Sequence, residues 1–197
     1  MLNRSFAAVS LAAFLFWPGV AHDAHAAPFQ PGDFITHLQD DWGTASTLAG
    51  TRLSSYFNDI YGALGYAEVG ISGAGGFSIF VTSASSVFTY LPGSGVPGSL
   101  LADLVDPTST PAGIFGGEVL ALRLNVDFSD AGYTRGSQGI PFGDRVVHDY
   151  SPIPLINGLT VRQVLANANT LLGGGDTGYS IEDASQLVVN HSRSSKI

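Results

Sequence analysis

The chain switches between two hydrophobic rhythms. Leu53, Phe57 and Ile60 recur at the spacing of one helix face, and Gly62 or Gly65 is placed to stop that helix. The rhythm then shortens. Tyr66–Ile71 and Gly76–Val81 are brief β-favouring runs on either side of SGAGG, which predicts a hairpin. Ser83 can cap a helix over ASSVFTYL, with Val87, Phe88 and Leu91 on one face and Pro92-Gly93 as its stop. Upstream, Asp33 can cap a short helix FITHLQDDW, with Phe34, Ile35 and Leu38 on one side. An apolar SLLADLV follows the flexible GSGVPGS and stops at Asp106-Pro107.

The C-terminal third carries the clearest helix signals. Thr160 and Gln163 form a capping box, ahead of an apolar stripe of Val161, Val164, Leu165, Ala168, Leu171 and Leu172. Gly173 to Gly175 end that helix. Ser180 and Asp183 open a last helix in the same manner, with Ile181, Ala184, Leu187 and Val188 as its apolar positions. Residues 129–158 are rich in Gly, Pro, Asp and Ser and read as mostly irregular, with DRVVHD (144–149) a possible short strand.

The most apolar stretch, GIFGGEVLALRLNVDF (113–128), carries both rhythms. Leu120, Leu122, Leu124, Val126 and Phe128 alternate with Ala121, Arg123, Asn125 and Asp127, a strand pattern. The run is long for a strand, and its Ala, Leu, Glu and Arg favour helix. A buried helix is the preferred reading, and a central β-strand the alternative. The fold class is therefore α+β and predominantly helical, with a small hairpin at about 66–81 packed on a helical core that includes the helix near 113–128.

The first 26 residues follow a different logic. Arg4 precedes an apolar run from Phe6 to Val20, and Ala24 and Ala26 then stand in the Ala-x-Ala order of a signal-peptidase site. The run is short for a membrane span and ends at a helix-breaking Pro18-Gly19. Residues 1–26 read as a signal peptide, and residues 27–197 as one extracytoplasmic domain, secreted or at the cell surface or periplasm. No later stretch reads as membrane-inserted or as an anchoring signal, so the mature chain is expected to be free or held by a partner.

Cleavage would remove one basic and one acidic residue and leave the net charge near −8. That balance argues against nucleic acid, whose affinity comes from Lys and Arg on phosphates, and against anionic lipid. The absence of cysteine leaves stability to the core alone.

Candidate chemistry is sparse. Asn125, Asp127, Ser129 and Asp130 put four oxygen-bearing side chains close together ahead of Gly132, a possible calcium site. The spacing is not that of an EF-hand, and turn formation at a helix end explains the same residues. Asp176, Glu182 and Asp183 form a second acidic patch, which capping largely explains. Gly70-Ile-Ser72-Gly-Ala74 approaches a nucleophile elbow but lacks its last glycine. Of His37, His148 and His191, only His148 has acidic neighbours, Asp144 and Asp149. Zinc has neither cysteines nor a His-Glu-x-x-His helix to hold it. Trp42, Tyr56, Tyr61, Tyr66, Phe77, Phe80, Phe88 and Tyr90 crowd the first half. Most of these belong in a core, and some tyrosines could form a surface for sugar rings or a protein.

Three strings, FGGEVLALRLNVDFSDAG (115–132), INGLTVRQVLANANTLLGGG (156–175) and GYSIEDASQLV (178–188), resemble an uncharacterised bacterial secreted or cell-surface domain with the pattern ALxLNV…NGxTV…LANxxLGGG. The resemblance extends upstream to about Asp33, and Ile156 stands where that pattern usually has Leu. It implies an external location and a helical 113–128 segment, and it implies no activity. The function expected is an exported, non-catalytic interaction or structural protein with a protein or polysaccharide partner and no cofactor. The alternatives are a secreted hydrolase built around His148 and a calcium-stabilised structural domain.

Overall fold

A computed structural model describes residues 35–71, 75–135, 139–148 and 156–185. The signal peptide, the Asp33 cap, Ser72 to Ala74, Asp149, Leu187, Val188 and His191 lie outside the described residues. The fold is α+β, predominantly helical, with a small sheet.

Gly113–Asp130 forms one long helix, here α4, that runs through the core. Phe115, Val119, Leu120, Leu122, Leu124 and Phe128 are all fully buried, and Ala121, Asn125 and Ser129 between them are buried too. A helix apolar nearly all round must be enclosed by other elements. The apparent alternation of leucines is therefore the trace of a helix buried on several sides. One stripe escapes: Arg123, Asp127 and Asp130, at i, i+4 and i+7, reach solvent.

The helices α1 (Gln39–Gly43) and α5 (Val161–Leu172) pack on α4, and α2 (Leu48–Tyr61) and α3 (Ala84–Tyr90) pack on α1 and on each other. Thr47 caps α2 by accepting from the Gly50 amide, and Leu53, Phe57 and Tyr61 are its buried face. Ser83 caps α3, and Thr160 with Gln163 make the capping box of α5, as their side chains predict. The six apolar positions read for α5 are all buried. A last helix, α6, is described over 181–185, with the Ser180 hydroxyl accepting from the Asp183 amide at 3.1 Å.

The helix expected from residue 34 begins later. Residues 35–38 are non-helical, and α1 starts only at Gln39. The cause is α4: the Asn125 side chain accepts from the His37 amide and donates to the His37 carbonyl, both at 2.8 Å. The Ile35 amide donates to the Thr134 carbonyl at 2.8 Å. Backbone groups that a helix would use are thus committed to the core.

The hairpin is present as β1 (Ala67–Gly70) and β2 (Ser78–Val81), antiparallel with Val69 opposite Ile79. Ala67, Val69, Ile79 and Val81 turn to the core. A third strand, β3 (Leu104–Val105), pairs with β2 in parallel, giving the order β1-β2-β3. Two aspartates fix it. Asp103 accepts from the Ser78 amide at 2.8 Å, and Asp106 takes the Thr82 amide at 2.8 Å and the Thr82 hydroxyl at 2.6 Å. The possible strand at 144–149 is reduced to one bridge, Val146 to Thr160, because Phe142–Asp144 curls into a 3-10 turn just before it.

Candidate functional site

The solvent-facing stripe of α4 forms the floor of an open cleft. One lobe, about 330 Å³, is walled by Asp59, Ile60 and Tyr61 of α2 and by Ala131 and Tyr133 beyond α4. A neighbouring lobe, about 320 Å³, runs along β1, past Tyr66, Glu68 and Gly70, to Asn169 of α5. Leu64 and Arg123 line both lobes. Leu64 sits in the turn after α2 with 68% of its surface exposed, so it forms a rim between them.

The polar floor is already bonded. Arg123 Nε donates to Asp127 Oδ2 at 2.6 Å, an i, i+4 pair, and the Tyr61 hydroxyl donates to the same oxygen at 2.8 Å. Burial pushes the Tyr61 hydroxyl well above its ordinary pKa, and the Asp127 charge adds to this, so Tyr61 stays a proton donor. Burial also raises the Asp127 carboxyl, against the opposing pull of Arg123. For Arg123, burial works against the charge, but Asp127 outweighs it and the guanidinium is held more firmly protonated.

Outlying groups are committed as well. The Tyr133 hydroxyl donates to Asp59 at 3.1 Å, and the Tyr133 ring stacks on Tyr56 with centroids 3.9 Å apart. Ser78 donates to Glu68 at 2.8 Å. Arg162 grips Asp130 through two N–H bonds of 2.9 and 3.0 Å, and its fork also reaches Asp144. Asn169 Oδ1 accepts from the Gly70 amide at 2.8 Å, which leaves its NH₂ group as a donor at the cleft wall.

The four residues read as a calcium candidate divide between two faces of α4, Asn125 and Ser129 on the buried side and Asp127 and Asp130 on the cleft side. Asn125 faces inward to His37 and to the Trp42 indole N–H, at 3.2 Å. Asp127 belongs to the cleft. Ser129 is fully buried and accepts from the Phe142 amide at 2.9 Å, while Asp130 pairs with Arg162. At about 100° per residue, positions 125 and 129 share one face and 127 and 130 another, so the helix axis separates the two pairs. Among the described residues no group of three or more acidic, histidine or cysteine side chains is arranged to hold a metal ion.

His148 is exposed, and Asp144, its described acidic neighbour, is held by Arg162. His37 is buried, edge-on to Trp42 at 5.2 Å, with its backbone on Asn125. Asp176 accepts from the Gly178 amide at 2.8 Å, which makes the second acidic patch a turn. Sequence reasoning placed Asp127 and Asp130 beside Asn125 and Ser129. It missed the Arg123–Asp127 pair and the face that Arg123, Asp127 and Asp130 share, although the i, i+4, i+7 spacing on a helix carries that signal.

No family model, curated protein or solved structure matches the chain. Among the described residues no helix is long and apolar enough to cross a membrane.

Proposed function

We propose that this chain is an exported, non-catalytic interaction module of the cell exterior, with the cleft rimmed by Leu64 as its recognition face. The observation that carries the reading is a trio in which Arg123 and Asp127, on the open stripe of an otherwise enclosed helix, are bonded together and anchored by the buried Tyr61 of α2. Groups held in place before a ligand arrives lose little freedom on binding, which favours recognition. Tyr61 is kept protonated and the Asp127 charge faces Arg123, so the trio offers hydrogen bonds rather than a proton to transfer. Net charge of −8 turns the partner away from nucleic acid, leaving an external protein or polysaccharide.

The test uses the full chain produced in a bacterial host and Leu64→Ser, each applied to immobilised polysaccharide and protein fractions of the cell envelope. Leu64 is exposed, so the variant should keep its melting temperature while retention falls by roughly tenfold, about 1.4 kcal/mol. Equal retention removes the cleft from this role. Sequencing the N-terminus of the exported product tests the location: Ala27 is expected as first residue, and a product that stays in the cytoplasm with residues 1–26 intact overturns it.

A further inference from the structure

Resting on that reading, we infer that the cleft takes an uncharged, hydroxyl-rich saccharide of about two linked rings. The charge distribution carries the first step. Among the described residues, Asp59, Glu68, Asp127 and Asp130 surround one cleft guanidinium, Arg123, which is itself bonded to Asp127. An incoming carboxylate or sulfate would have to share Arg123 with Asp127 while facing the other acids, which repel it.

A cation fares no better. Each of the four carboxylates already has a partner: Asp59 the Tyr133 hydroxyl, Glu68 the Ser78 hydroxyl, Asp127 both Arg123 and Tyr61, and Asp130 the Arg162 fork. The two without a cationic partner, Asp59 and Glu68, lie in different lobes, so an ammonium group would meet a single hydroxyl-bonded carboxylate in each. What the walls still offer is mixed. Arg123 has N–H donors beyond Nε, Asn169 presents its NH₂, and the bonded carboxylates keep spare lone pairs. A surface of neighbouring donors and acceptors matches hydroxyl groups, each of which donates and accepts.

Shape agrees with chemistry. Ile60, Leu64, Tyr66, Ile71 and Tyr133 bring apolar surface to the same walls, suited to the C–H faces of a sugar ring. Each lobe, at about 330 and 320 Å³, lies near the lower end of small-ligand pockets, roughly 300–1,000 Å³. Two lobes joined at Leu64 and Arg123 therefore fit two successive units of a chain, with the Arg123 fork between them.

Titration calorimetry of the full chain tests this with three probes: neutral cello-, xylo- and manno-oligosaccharides, oligogalacturonate as the anion, and chitosan oligomers as the cation. The expected result is binding of at least one neutral series, unchanged by added salt, since screening acts only on charged pairs. Arg123→Lys keeps the ion pair to Asp127 while removing the fork, and Leu64→Ser removes the shared rim. Each should weaken that binding roughly tenfold. Binding of charged probes alone, or affinity that collapses with salt, overturns the neutral class and leaves the cleft as recognition face. If no probe binds while envelope retention still depends on Leu64, the saccharide inference fails alone. Neutral binding that neither variant weakens overturns both this inference and the choice of cleft.

Discussion

Asn125 joins the start of the described chain to its centre. Its one side chain satisfies the His37 amide, the His37 carbonyl and the Trp42 indole, all in a buried setting. Replacing it with alanine strands those three groups, and each unsatisfied buried group costs about 1–3 kcal/mol. Asn125→Ala should therefore lose about 3 kcal/mol or more in urea unfolding, and a loss below about 1 kcal/mol would show that residues 35–38 are not held this way. Glu118 is the buried acid of α4, hydrogen-bonded by the Ser185 hydroxyl of α6. Burial pushes its carboxyl up to about 7 from an ordinary value of 4.5, with the Ser185 bond opposing. A folded-state value above the unfolded one favours the protonated form. Its stabilising share is full below about pH 4.5 and lost as pH rises through about 7. Melting should therefore drop by several degrees between pH 5 and pH 8, at roughly 2–4 °C per kcal/mol, and Glu118→Gln should flatten that drop. A variant with the native pH dependence would assign the effect elsewhere.

Element packing turns on how closely α4 is approached. Gly117 faces Gly93, whose amide is tied to the Gln39 side chain at 2.9 Å. A methyl group on Gly117 would sit 2.3 Å from Gln39 Oε1 and 2.7 Å from the Gly93 amide nitrogen. Alanine is the better helix former by about 1 kcal/mol, but overpacking against backbone costs about 1–3 kcal/mol. The clash should win, so Gly117→Ala is expected to lower stability in thermal unfolding, and a gain would disprove the close approach. Elements like α3 and α5 were legible because cap, apolar stripe and stop agree in each, while α2 was read from its stripe and stop alone, its Thr47 cap emerging only in the structure. Residues 113–128 were ambiguous for a physical reason: a segment buried on most sides loses the contrast that marks a period. The start of α1 was misread because Asn125, far away in sequence, captures the His37 backbone. The two residues of β3 carry almost no pattern, and their pairing depends on Asp103 and Asp106 gripping Ser78 and Thr82.

At the scale of the whole molecule, acidity, cysteine-free stability and the crowding of tyrosines were readable from composition. Of that crowd Tyr61 and Tyr66 line the cleft, joined by Tyr133, which the sequence reading did not include. The cleft itself was not readable, since the Tyr61–Asp127 bond spans 66 positions and Asn169 arrives from another helix. The floor of the cleft has one more consequence. Arg123 and Asp127 stand on the backbone that the rest of the fold encloses most completely. Amide protons of residues 119–128 should exchange with deuterium only through global unfolding, at the slowest rates in the molecule. Fast exchange there would contradict a rigid floor. If the floor is that rigid, a ligand meets its docking geometry ready-made, and association should follow a single concentration-dependent phase with no later isomerisation.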